Sequence, residues 1–398
     1  MKIKSLALAI SAVLCTSTAA WADNTVSATS TGNYNTIAAS QQGGNGNSIS
    51  LSQSTDSNQS SASQNGNNNT ATASQGGYSY SYSYWYASQY AYLSSSIASI
   101  TQVGDSNTAS VSQGGSYWTG YSYYDQNPTS YGTFKASINQ NGLANSASVN
   151  QSYGGVSQSS GSFSSANISQ NGQNNIASAT QSSSGSANSA SISQDNTYGW
   201  YGYGNTASIT QDVGSGNTGS ITQNGSSNQA SITQEGSNST ATINQQGNLN
   251  VANIHQTASN AQAGISQVGD SNSIDIQQAD NIRPQVTQSG TGNAITINGN
   301  TWYPNLNYQV ISQTGVSDLA SVDQSAGSNN LANVTQSGSY DNATIVQGGT
   351  EADTVTVNQS GDNNVASINQ DILGTNGYND IATVIQSGYG NTASVTQQ

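Results

Sequence analysis

Apolar residues in this chain recur at every second position over short stretches and then stop. Between Asn217 and Gln234, the set Asn217, Gly219, Ile221 and Gln223 returns eleven residues later as Asn228, Ala230, Ile232 and Gln234. A period of two is that of a β-strand, so Asn, Ala, Ile and Gln share one face while variable Ser and Thr residues share the other. The link Asn224-Gly225-Ser226-Ser227 supplies a glycine for an otherwise strained turn, a place held by Gly104, Gly225, Gly236 and Gly247 in four copies.

The unit Asn-x-Ala-x-Ile/Val-x-Gln-x-Gly-x-x is eleven residues long. Gln223, Gln234, Gln245, Gln256, Gln267 and Gln278 close successive units without a slip, and Ile221, Ile232, Ile243, Ile254, Ile265 and Ile276 keep the same spacing. With insertions allowed, and one Asn standing for the closing residue near 298, about 28 such arcs run from Gln41 to Gln397.

Two arcs folded against each other set the Gln that ends one strand beside the Asn that opens the other, and each Ile against Ala or Gly. The pair forms a flat rung of 22 residues. Stacking rungs puts Asn over Asn and Gln over Gln, so side-chain amides can bond along the stack and satisfy one another inside a thin interior. Burying one Ile contributes about 1.5–3 kcal/mol, against roughly 1–2 kcal/mol for ordering each backbone residue. An isolated rung should therefore not fold, and stability must come from its neighbours. The predicted fold is all-β: an amyloid-like β-solenoid of strand-turn-strand rungs with two facing parallel sheets.

Composition alone points elsewhere. Of 398 residues only 33% are hydrophobic and 6% charged, too few for a conventional core, and the periodicity is what argues against disorder. Lys2 and Lys4, the apolar run Leu6 to Leu14 and Ala20-Trp21-Ala22 read as a secretory signal, residues 1–22, removed before Asp23. The one cysteine, Cys15, lies inside it, and Leu14 is a poor residue before a lipidated cysteine. No later apolar stretch is long enough to span a membrane. All 18 acidic residues lie beyond the signal, with only Lys135 and Arg283 of the basic ones, giving 2 − 18 = −16. That balance argues against nucleic acid and anionic lipid as partners and keeps an amide-rich chain soluble by self-repulsion.

The expected organisation is a short N-terminal segment, 23–32, then a repeat solenoid over 33–398 with Tyr-rich insertions at 76–95, 114–133, 195–204 and 299–309. Interruptions after Gln75, Gln113, Gln151 and Gln370 and near 299 follow even-numbered arcs and should project from one edge; that after Gln194 should project from the other. Tyr78, Tyr80, Tyr82 and Tyr84 alternate with serine and would show rings on one face, either packed on the solenoid's side or offered as a contact patch. Neither end carries a recognisable cap, so both terminal rungs are expected to be open to another copy.

The motif Gln102-Val-Gly104-Asp-Ser-Asn107-Thr-Ala109-Ser-Val-Ser-Gln113 resembles the curlin repeat of curli amyloid subunits, and Ser96 to Gln102 and Ser164 to Gln170 match that family's half-repeat. The resemblance covers nearly all of the chain beyond the signal. It implies a secreted subunit of extracellular biofilm fibres, with itself as partner, a nucleator subunit, and export through an outer-membrane pore. It also implies that motif amides drive assembly, here Asn107, Gln113, Asn217, Gln223, Asn228, Gln234, Gln245, Gln256, Asn391 and Gln397, with Ile221, Ile232, Ile243 and Ile254 between them, while turn residues such as Asp105, Asp270 and Asp362 moderate it. The array is several times longer than that of a typical curlin subunit. Residues 23–32 lack the Gly-rich stretch that family subunits show to the export pore.

Little supports catalysis: His255, the only histidine, falls on the outer face, Glu235 and Glu351 lie in separate turns, and no nucleophile, base and orienter can be assembled. No cofactor or metal is implied. The segment GGNGNS at 43–48 has Asn where a calcium-binding solenoid repeat needs Asp. The alternative function is surface recognition, with outer-face Thr218, Ser220, Thr222, Ser231 and Thr233 forming a flat lattice for ice or polysaccharide.

Overall fold

The computed structural model describes residues 23–31, 35–54, 58–79, 83–84, 87–88, 96–118, 133–156, 163–182, 187–196, 203–212, 214–279, 282–299, 307–324, 329–348, 353–370 and 380–397. The expected signal with Cys15, Tyr80 and Tyr82, and the middle of each insertion lie outside them. Every described element is a strand.

The chain divides into two compact units. The first comprises Met1–Gly204 with Ser208–Gly216; the second comprises Asn205–Ala207 with Asn217–Gln398. In the first, one sheet runs in the order Thr25–Thr31, Ser48–Ser54, Thr70–Ser79, Thr108–Trp118, Ser146–Val156, Ile176–Ser182. Its partner sheet runs Thr36–Gln42, Gln59–Asn65, Ile97–Val103, Thr133–Leu143, Phe163–Gln173, Ser189–Asp195. Successive strands thus alternate between two sheets, as a solenoid of two-strand rungs requires. A short antiparallel pair, Ser83–Tyr84 with Ala87–Ser88, stands outside both sheets.

The second unit repeats the plan. One sheet runs Thr218–Asn224, Thr240–Gln246, Gln262–Asp270, Ile282–Thr291, Asn307–Val316, Leu331–Ser339, Thr354–Asp362, Ile381–Tyr389. The other runs Gln229–Gln234, Val251–Gln256, Ser273–Gln278, Ala294–Gly299, Leu319–Asp323, Asn342–Gln347, Val365–Gln370, Thr392–Gln397. Pairing is parallel and in register, Ile243 beside Ile265 and Gln245 beside Gln267, so like stacks on like. The strand Thr240–Gln246 alternates exposed and buried at every residue, which is the amphipathic period made visible.

Side chains set this register. A slip by one residue would turn Ala, Ile and Gln out to water along the whole strand. Ile221, Ile232, Ile243 and Ile254 are buried, as are Ala230, Ala241 and Ala252.

Three details depart from the expected boundaries. Thr25–Thr31, placed by the motif in a separate segment, already pairs with Ser48–Ser54, and Ser30 lies opposite Gln53. At the other irregularity Asn298 is an outward residue, beside Gln277, and Gly299 takes the closing position beside Gln278. Residues 307–309, assigned to an insertion, open a regular strand with Asn307 and Gln309 facing inward. The strands also run into the insertions: Gly76 and Gly77 pair with Gly114 and Gly115, which pair in turn with Ser152 and Tyr153. In the first unit the strands that lead into the insertions after Gln75, Gln113 and Gln151 share one sheet, and Gln194 closes a strand of the other.

Candidate assembly site: the amide ladders

The closing glutamines form chains of side-chain hydrogen bonds along the sheets, interrupted where Gly299 takes a closing position. Gln223 Nε2 donates to Gln245 Oε1 at 2.8 Å, Gln245 to Gln267 at 2.8 Å, and Gln267 to Gln288 at 3.0 Å. On the facing sheet Gln234 donates to Gln256 at 2.9 Å and Gln256 to Gln278 at 2.7 Å. The first unit has the same ladders, with Gln75, Gln113 and Gln151 linked at 2.8 Å per step. Each Nε2 also ties the two sheets together: Gln234 donates to Thr218 O at 3.1 Å and Gln113 to Ile97 O at 3.0 Å. A glutamine thus uses one proton along the stack and one across the rung. These amides are buried, so each bond satisfies a group that water cannot reach.

The asparagines make the expected Asn-on-Asn bonds and also clamp the turns. Asn228 Oδ1 accepts the backbone N–H of Asn250 at 3.1 Å and its Nδ2 at 3.1 Å, while Asn228 Nδ2 reaches Gly247 O at 2.7 Å. Asn107 does the same, accepting from Asn145 N at 3.1 Å and donating to Gly142 O at 2.9 Å. Asn217 donates to Gly236 O at 2.6 Å and accepts from Ser239 N at 2.9 Å. One methylene shorter than Gln, Asn stays beside its own turn and clamps it to the turn of the next rung. At the last strand Asn391 Nδ2 donates to Asn364 Oδ1 at 2.8 Å, and Gln397 Oε1 accepts from Gln370 at 2.7 Å.

The turn glycines fit for two reasons. Gly104, Gly225 and Gly247 have φ of 103°, 116° and 112°, where a side chain is strained. Gly236 is not in that region, but a Cβ there would lie 1.9 Å from Ala258 O, so stacked turns alone demand glycine. Of the turn carboxylates, Asp105 Oδ1 accepts from Asn67 N at 2.6 Å and Asp270 Oδ1 from Asn248 N at 2.8 Å.

Other ladder positions escaped sequence reasoning. Ser239 replaces Asn and donates to Ala258 O at 2.8 Å. Ser60 at an Ala position accepts from Gln53 Nε2 at 3.1 Å and donates to Gln75 Oε1 at 2.5 Å. Gln309 is buried at an Ala position and donates to Gln324 Oε1. Asp318 and Asp341 occupy Asn positions in adjacent rungs; burial pushes the Asp318 carboxyl up to about 6, and burial likewise raises Asp341. Their signal was spacing: each stands three residues after a turn Gly, the slot that Asn fills elsewhere.

His255 Nε2 lies 3.4 Å from Glu235 Oε1, both about half exposed on the outer face. Among the described residues no group of three or more His, Cys, Asp or Glu side chains is placed to hold a metal ion.

Fold and ladders together define an all-β solenoid of stacked, amide-laddered rungs. The model of the curlin associated repeat matches the chain three times, over residues 44–77, 214–247 and 307–338, so these stretches carry curlin-associated repeats. A search of curated proteins returns no match.

Proposed function

We propose that the chain is a secreted structural subunit of curli-type functional amyloid fibres, growing by templated addition and serving biofilm matrix and surface adhesion. The observation that carries this reading is the ladder: the bonds that join one rung to the next are made chiefly of backbone and of Gln and Asn side chains. Such an interface does not distinguish a rung of the same chain from a rung of another copy. Gln41, in the strand Thr36–Gln42 that begins its sheet, has Oε1 buried without a hydrogen-bond partner among the described residues, an acceptor suited to an incoming glutamine. In the strand Thr392–Gln397, Ala393, Val395 and Gln397 are partly exposed although their counterparts Ala366, Ile368 and Gln370 are buried.

The family likeness supports extracellular fibres built by self-assembly, a nucleator, and export through an outer-membrane pore after removal of residues 1–22. The outer columns favour fibre over lattice binding. Successive outward positions read Thr218, Thr240, Gln262 in one column and Thr233, His255, Gln277 in another, too mixed for a repeating ice or polysaccharide contact.

The test is to purify residues 23–398 and follow dye binding with time, with and without preformed seeds. The expected result is a lag phase abolished by seeds, and fibres diffracting at the strand spacing of about 4.7–4.8 Å. A chain that stays monomeric for days at high concentration would overturn the proposal.

A further inference from the structure

Asp318 and Asp341 stand in consecutive rungs between Asn293 and Asn364, in the slot that clamps one turn to the next. One oxygen of each carboxylate serves as Asn Oδ1 does. Asp318 N donates to Asn293 Oδ1 at 3.0 Å, Asp341 N to Asp318 Oδ1 at 3.0 Å, and Asn364 N to Asp341 Oδ1 at 2.9 Å. The other oxygen has no such equivalence. In this slot an Asn Nδ2 donates to the turn carbonyl of the next rung, as Asn293 does to Gly315 O at 3.2 Å and Asn364 to Gly388 O at 3.3 Å. Asp presents an acceptor there. A Cβ built on Gly315 would lie 2.0 Å from Gly338 O and 2.8 Å from Asp318 Oδ2, so carbonyl and carboxylate oxygens converge on one point. Oδ2 of Asp318 and of Asp341 is buried and has no hydrogen-bond partner among the described residues.

We propose that Asp318 and Asp341 form a proton-operated joint in the asparagine ladder of the second unit. With a proton on Oδ2, each carboxyl donates to the turn carbonyl of the next rung, Gly338 or Gly361, and completes the clamp. Without it, oxygen meets oxygen and two buried charges stack in adjacent rungs. The charged groups facing Asp318 are Asp341 and Asp362, and Asp362 also faces Asp341. From the opposing sheet come the neutral amides of Gln336 and Gln359, which bond Leu319 O and Asn342 O at 3.0 Å each.

Burial, joined by the two neighbouring carboxylates, holds Asp318 near 6, above the 3.8 of a free carboxyl. A group whose folded value is raised adds stability that is complete below its unfolded value and lost as pH rises through its folded one. The window therefore runs from about 4 to about 6, and the second unit is firmer in mild acid than at neutrality. The joint belongs to the fold and is independent of whether the chain forms fibres.

The experiment compares chemical unfolding of the full chain at a series of pH values for wild type, for Asp318→Asn with Asp341→Asn, and for the outward control Asp275→Asn. Wild type should lose at least tenfold in its folding equilibrium constant across the window, whereas the double variant should be flatter and firmer at neutral pH. A double variant with the wild-type slope, or a control that flattens equally, would overturn the joint. A carbon-13 titration of the Asp318 carboxyl should show a midpoint near 6; one in the ordinary carboxylate range would also overturn it. Chelator should leave the wild-type profile unchanged, and a shift would mean that a cation, not a proton, bridges the oxygens.

Discussion

Gln223 Nε2 and Gln245 Oε1, 22 residues apart in the chain, are joined at 2.8 Å in adjacent rungs. The bond lies inside a buried strip and repeats through Gln267, Gln288 and Gln313, so removing one member strands two others. Replacing Gln223, Gln234, Gln245 and Gln256 by Ala should therefore lengthen the lag and slow elongation, at about 1–3 kcal/mol per stranded buried amide. Seeded and unseeded kinetics check this, and unchanged rates would remove the ladder from the mechanism.

A natural break in the ladder gives a sharper test. Gly299 stands where Gln278 would otherwise find its next glutamine, and Gln309 from the facing sheet donates to Gln324 Oε1. Gln309 thus replaces the donor that Gly299 cannot supply. Gln309→Ala alone should destabilise by about 1–3 kcal/mol, and much of that cost should vanish in a Gly299→Gln background. Thermal unfolding of the four members of this cycle reads the coupling; additive effects would show that the two sites are unrelated.

The pair also shows what the amino-acid pattern could and could not tell. Strand period, rung size and the closing glutamines were legible because a two-residue alternation on an eleven-residue period leaves few other solutions. The phase near 298 was not, because an Asn one residue before Gly299 imitates a closing amide. The clamp made by Asn228 was also hidden, since the spacing shows that like amides stack but not that the shorter Asn reaches its neighbour's turn as well. The buried carboxylates at Asp318 and Asp341 were marked only by their spacing from Gly315 and Gly338, a signal that a motif written with Asn passes over.

Turns carry a second hidden rule. The residue before a clamping Asn can be left-handed whatever its identity: Ser227, Leu249 and Ser271 have φ of 58°, 59° and 59°. Leu249 is exposed, so its side chain contributes little there, while its backbone bears a cost of roughly 1–2 kcal/mol. Leu249→Asn or Leu249→Gly should raise the unfolding midpoint. Gly247→Ala should lower it, because its Cβ would meet Gly269 O at 2.1 Å. Circular dichroism melts of the three variants check both signs.

The two faces of a strand should separate fibre from surface recognition. Ile232 is fully buried and stacks on Ile254, so Ile232→Ala should cost about 2–5 kcal/mol and slow or abolish assembly. Thr222 and Thr218 are exposed on the outer face, where replacement by Ser should change stability by less than about 0.5 kcal/mol and leave growth rates intact. A protein that worked by presenting its outer face to ice or polysaccharide would give the opposite ranking, tolerating modest loss in the strip while failing when outward threonines change. Measuring elongation rate and ice or polysaccharide binding on the same variants sets the two against each other, and a fibre subunit must lose growth with Ile232 and keep it with Thr222.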